Sequence, residues 1–148
     1  MPTKPRDSVE YPIYHSPDDA EATFYQAFEH ADLSAMMTVW HDTNDVECIH
    51  PMGERLYGID AVRRSWEQIF LNPPAICFRL EQRRIFRQGT LSIHLVNERM
   101  MTHSDRSQVF YVISTNIYQE TPSGWRMIVH HASPAPRRFN ERRQPLLH

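Results

Sequence analysis

Apolar positions along the chain first recur at helical spacing and then switch to strict alternation, and this change divides the sequence into a helical first half and a stranded second half. Ser16-Pro17-Asp18-Asp19 predicts a helix start: a hydroxyl to cap free N–H groups, a proline where its missing N–H is harmless, and two carboxylates at the positive helix end. Ala20, Phe24, Ala27, Phe28 and Ala31 follow at helical spacing and give one apolar face. Asp32 is placed to cap a second, short helix through Leu33, Met36, Met37 and Val39 to Trp40. His41-Asp42-Thr43-Asn44-Asp45 is turn-forming, and 46–50 reads as a short strand ended by Pro51 and Gly53. After Gly58, the series Ile59, Val62, Trp66, Ile69 and Phe70 predicts a third amphipathic helix, stopped by Asn72-Pro73-Pro74.

From residue 75 the period is two. Ile76, Phe78 and Leu80 share one face; after a turn at Gly89, Leu91, Ile93 and Leu95 alternate with Ser92 and His94. A third strand is expected over 108–120 and, beyond the turn Thr121-Pro122-Ser123-Gly124, a fourth over 125–132. Helices followed by a strand meander form an α+β pattern, in which the sheet curves around the helices and leaves a concavity suited to a small ligand.

Composition narrows this picture rather than changing it. At 148 residues, 41% hydrophobic and 23% charged, the chain is expected to fold as one domain over 17–134, with an extended N-terminal arm over 1–16 and a basic C-terminal tail over 135–148. Met1-Pro2-Thr3-Lys4-Pro5-Arg6-Asp7 lacks the apolar centre of a signal peptide, and no apolar run is long enough to span a bilayer, so a cytoplasmic protein without membrane contact is expected. Cys48 and Cys77 are then expected as free thiols. Net charge is −2, yet Arg137, Arg138, Arg142 and Arg143 crowd the tail; a local cluster of this kind reads as a solvated or docking tail, and no nucleic-acid partner is expected.

Two segments carry a resemblance. The first is Trp40-His41-Asp42 through Ile49-His50-Pro51, with Gly58 and the helix of Trp66 behind it. The second is Thr115-Asn116-Ile117-Tyr118, then Gly124-Trp125 through His130-His131-Ala132-Ser133-Pro134. Together these resemble the SnoaL-like branch of the nuclear-transport-factor-2-like superfamily, which also holds ketosteroid isomerases, polyketide cyclases and a calmodulin-dependent kinase association domain. The resemblance covers residues 18–134. It implies a cone-like curved antiparallel sheet wrapped around three helices, enclosing a pocket, and a homodimer formed on the outer sheet face.

Candidate chemistry rests on imidazole and carboxylate. His50, at a strand end, is a candidate proton carrier or a structural histidine. His130 and His131 are adjacent and face opposite sides of a strand unless a bulge intervenes; counting by twos from Trp125 puts Met127, Val129 and His131 on the apolar, inner face, so His131 is the expected site residue. Glu98 resembles a pocket carboxylate of the family and is expected to pair with a histidine. Asn116 resembles the family's Thr-Asn pair, a ligand contact or a backbone bond at a bulge, while Trp40 and Trp66 are expected as core and pocket wall. His41, Asp42, Asp45, His50, His130 and His131 lack metal-ligand spacing, and no glycine cluster cradles phosphate, so neither metal nor cofactor is expected. The ketosteroid isomerase set of an Asp base with a Tyr and a protonated Asp has no counterpart at matching positions.

Two function classes follow. One is a homodimeric, non-catalytic binding or assembly module for a small apolar organic ligand. The other is an isomerase, cyclase or dehydratase in which a His–Glu pair moves protons on such a molecule.

Overall fold

The computed structural model describes residues 11–73, 75–105 and 108–136; residues 1–10 of the expected arm and 137–148 of the expected basic tail lie outside them. Helix α1 (Pro17–His30) begins where Ser16 Oγ accepts the Asp19 N–H at 3.0 Å and ends at Ala31, whose φ of 51° is left-handed. Helix α2 (Leu33–Val39) is capped by Asp32, which accepts from the Ala35 N–H at 3.0 Å. Short strands β1 (Glu47–Ile49) and β2 (Leu56–Tyr57) lead into α3 (Gly58–Leu71), and four long strands follow: β3 (Ile76–Gln88), β4 (Leu91–Thr102), β5 (Val109–Thr121) and β6 (Gly124–Pro134). Among the described residues no helix is long and apolar enough to cross a membrane.

The strands form one curved, open sheet in the order β2-β1-β6-β5-β4-β3. The long strands are antiparallel neighbours, as a meander joined by tight turns must be. At the other edge β1 joins β6 in parallel, Cys48 opposite His130, so the sheet is mixed. No hairpin links these two strands, and their relative direction is therefore free of turn geometry.

The core lies between the helices and the concave face. Phe24, Trp66, Val62, Met36 and Met127 are fully buried there, and Phe28 stacks edge-on to Phe78 and Trp66 at ring-centroid distances of 4.6 and 4.9 Å. The arm is tied to this body through Tyr14, which is buried, accepts the Trp125 N–H at 2.8 Å and places its hydroxyl 2.7 Å from Thr38 Oγ1.

Two local features reverse what alternation suggests. In β4 the inward residues are Ser92, His94, Val96 and Glu98, all buried, whereas the more apolar set Leu91, Ile93 and Leu95 points outward. In β6 a register shift against β5 falls between Ile117 and Tyr118: Ile117 opposes Val129, but Tyr118 opposes Met127, so Ile128 is the extra residue of a bulge. Parity flips there. Trp125 and Met127 face inward, and past the bulge so do His130 and Ala132.

Candidate functional site

An apolar cavity of about 310 Å³ opens between the helices and the end of the sheet. Phe28 of α1, Ile69 of α3, Ile76 of β3, Met100 of β4 and Phe110 of β5 supply its walls; Glu98, His130, His50 and Thr102 supply its polar groups. His50 and Glu98 are therefore brought together as the sequence suggests, but the second histidine is His130. His131 is exposed on the opposite face, because the bulge at Ile128 shifts the count by one.

Glu98 is 3% exposed and is held by Tyr25, whose hydroxyl donates to Oε2 at 2.5 Å. Burial raises the Glu98 carboxyl, the Tyr25 and Ser114 hydroxyls lower it, the Glu21 charge raises it again, and the balance lies at about 7. With Oε2 occupied, Oε1 is the oxygen left to carry or receive a proton. The expected direct pair with a histidine does not form: Glu98 reaches His130 through Tyr25 and Asn116.

Asn116 is fully buried behind the cavity and links three groups. Its Nδ2 donates to Tyr25 Oη at 2.9 Å and lies 3.4 Å from Glu21 Oε2, while its Oδ1 lies 2.6 Å from His130 Nδ1. Burial opposes ionisation of Glu21, but His94, Arg83 and Tyr118 outweigh it and hold the carboxyl below its ordinary range. As an ionised carboxylate Glu21 only accepts, which fixes the Asn116 amide with its nitrogen toward Glu21 and its oxygen toward His130. His130 Nδ1 must then donate, and Nε2 is left as a lone pair.

The same accounting fixes His50. Ser65 Oγ donates its single proton to Val62 O at 2.7 Å, so at 3.0 Å it accepts from His50 Nε2, and Nδ1 carries the lone pair. Burial pushes His50 down to about 4. Burial, with the neighbouring His50 and His131, pushes His130 down to about 3. Both imidazoles are neutral at pH 7.

Of the other sequence candidates, Trp66 packs edge-on behind His50, with ring centroids 4.8 Å apart, and Trp40 is buried beside Met127. Neither these nor Asn116 lines the cavity. Two partners that sequence reasoning missed are Glu21 and Tyr25, one helical turn apart on α1 and flanking the apolar stripe of Ala20, Phe24 and Phe28. The histidine–carboxylate pair that does form is His94 with Glu21, at 3.0 Å in the core. Cys48 and Cys77 are free thiols. Among the described residues no cluster of three or more His, Cys, Asp or Glu is placed to hold a metal ion.

Comparison with known proteins places this geometry in a family. A family model of the SnoaL-like domain matches residues 18–137. A candidate association domain of calcium/calmodulin-dependent protein kinase type II from Thiobacillus denitrificans is 37% identical, with a TM-score of 0.76 over 84% of this chain and 99% of that one. A candidate dehydratase of the nuclear-transport-factor-2-like family from Streptomyces avermitilis is 28% identical, with a TM-score of 0.72 over 79% of this chain and 91% of that one. The F-box protein SKIP8 of Arabidopsis thaliana is 28% identical over 120 residues, 74% of this chain, and the match spans 46% of that longer protein. The chain belongs to the SnoaL-like domain family and carries the nuclear-transport-factor-2-like fold.

Proposed function

We propose that the domain works by proton transfer on a small organic molecule, with Glu98 as the proton-carrying group and His130 as its partner across the cavity. The observation that carries this reading is a nearly buried carboxyl facing an open apolar cavity, one oxygen tied by Tyr25, with its ionisation moved to about 7. A group balanced at the working pH serves equally as acid and base.

Elimination of water suits this set of groups best. Glu98 in its carboxylate form takes the proton from the adjacent carbon on Oε1 and passes it to the leaving hydroxyl, while His130 Nε2 accepts a hydrogen bond from the substrate. The C–H and C–O bonds break, a C=C bond forms and water leaves. The proton leaves with the water, so Glu98 returns to its carboxylate form and His130 stays neutral throughout. Isomerisation through an enolate is less well served, because it needs fixed donors at the oxyanion. Apart from the acid form of Glu98, the lining side chains among the described residues offer only the Thr102 hydroxyl, which donates to Asp105 O at 2.8 Å. Similarity to a candidate dehydratase supports the same choice.

The test is loss of water from a panel of small β-hydroxy ketones, followed by proton NMR in the native protein, Glu98→Gln and His131→Ala. Glu98→Gln is expected to lower the rate at least about 100-fold, with His131→Ala unchanged. Because the carboxylate form is required, the native rate falls as pH drops below about 7. Turnover indifferent to Glu98, or none across the panel, refutes the reading.

A second reading, a homodimeric binding or assembly module, is favoured by similarity to the candidate kinase association domain and by the apolar outer sheet face of Phe86, Leu91 and Ile113, each more than a third exposed. The dimer is compatible with either chemistry.

A further inference from the structure

The hydrogen-bond polarity of the cavity follows from the proton positions around it. His50 offers a lone pair on Nδ1, because Ser65 takes its Nε2 proton. His130 offers a lone pair on Nε2, because Asn116 takes its Nδ1 proton. In its carboxylate form Glu98 offers Oε1, because Tyr25 occupies Oε2. Among the described residues, His50 Nδ1 and His130 Nε2 have no hydrogen-bond partner within the chain. Three residues with an acceptor to spare therefore line a cavity whose remaining walls are chiefly hydrocarbon.

Among the described residues no lysine or arginine lines the cavity. Two nearby guanidiniums are committed elsewhere: Arg83 to Asp18 and Glu21, and Arg126 to the carbonyls of Pro12, Thr38 and Ser123. A carboxylate or phosphate entering the cavity would leave water for a site with no counter-charge among the described residues and would face lone pairs, a combination that costs several kcal/mol. A hydroxyl, by contrast, donates to a lone pair that has no partner among the described residues. A volume of about 310 Å³ is at the small end for ligand pockets, enough for a single ring and its substituents.

We propose that the pocket selects a compact, uncharged, single-ring molecule bearing at least two hydroxyl groups, which it holds by donors on the ligand, and that it rejects carboxylates and phosphates of the same size. This rests on the site assigned to Glu98, His130 and His50 but not on any turnover there. The polarity argument requires only that the ligand occupies the cavity.

The experiment is a binding titration at pH 7 with resorcinol, 1,3-dimethoxybenzene and benzoate, read by tryptophan fluorescence and by thermal melting. These probes share a ring and differ in donors and charge; Trp66 packs against His50 and reports occupancy. Resorcinol is expected to bind at least about tenfold more tightly than 1,3-dimethoxybenzene, the equivalent of one lost hydrogen bond, and benzoate to give no saturable signal. In His130→Phe the resorcinol advantage shrinks while the dimethoxy compound is unaffected. His50→Phe serves as an independent variant should the first fail to fold. Equal binding of resorcinol and its dimethyl ether, benzoate binding as tightly as resorcinol, or no binding by any of the three overturns the proposal. Selective resorcinol binding without water loss from any hydroxy ketone upholds it and removes only the proton-transfer reading.

Discussion

At Glu98 the folded chain keeps a proton that the unfolded chain releases. Below pH 4.5 the carboxyl is protonated in both states and contributes no difference; between 4.5 and about 7 the unfolded state loses its proton first, so stability falls as pH rises. Above about 7 the folded state carries a desolvated charge, a penalty on the order of 3 kcal/mol. Glu98→Gln removes that charge while keeping an acceptor for Tyr25. Its melting temperature is expected to exceed that of the native protein at pH 8 and to converge with it at pH 4.5, which a pH series by calorimetry checks. His50 and His130 act in the opposite sense. Held neutral down to about 4 and about 3, they destabilise the fold as pH drops below 6.5, where the unfolded chain begins to bind protons that the folded chain refuses. That acid limb should survive in Glu98→Gln, and an acid limb absent from both proteins would contradict solvent exclusion at the histidines. His50 and Glu98 were legible as site candidates from residue type and resemblance. Tyr25 was not, since its partner lies 73 positions away and nothing local marks the contact.

At the scale of elements, the helices follow their local signals closely. Ser16 and Asp32 cap as expected, and α3 ends at Leu71, just before Asn72-Pro73. The strands are where alternation fails. β4 turns its polar set inward because Glu21 and Tyr25 on α1, with Asn116 and Tyr118 on β5, supply partners that no single-strand pattern can reveal. β6 changes parity at Ile128, which turns His130 rather than His131 toward the cavity. The turn before β6 also anchors the arm. Gly124 has φ of +96°, and a Cβ there would lie 2.7 Å from Tyr14 O. Gly124→Ala is therefore expected to destabilise the protein by about 2 kcal/mol or more through backbone strain and displacement of Tyr14. Urea unfolding with an unchanged m-value would check it, and a loss below about 0.5 kcal/mol would show that the arm yields at no cost.

For the whole molecule, the question is what covers the outer face of the sheet. Phe86, Leu91 and Ile113 are 45%, 38% and 42% exposed, and Ile93, Leu95, Ile117 and Val129 lie among them on the same side by register. An apolar face of this extent is expected to be buried in a symmetric dimer. Light scattering should give twice the chain mass for the native protein and a single chain mass for Ile113→Asp, with the thermal response to resorcinol retained, since the cavity opens on the other side of the sheet. A native monomer would leave that face exposed and count against assembly as the role of the domain.

The α+β class, the helix boundaries and the strand meander were determined by the sequence alone, because caps, turns and periodicity act over a few residues, and His50 and Glu98 were legible there as candidates. The parallel β1–β6 edge, the identity of the second histidine and the Glu21–Asn116–Tyr25 linkage were decided only in the tertiary structure. Each depends on groups distant in the chain. A bulge changes the face of every residue after it, and a buried polar group is stable only where another element brings its hydrogen-bond partner.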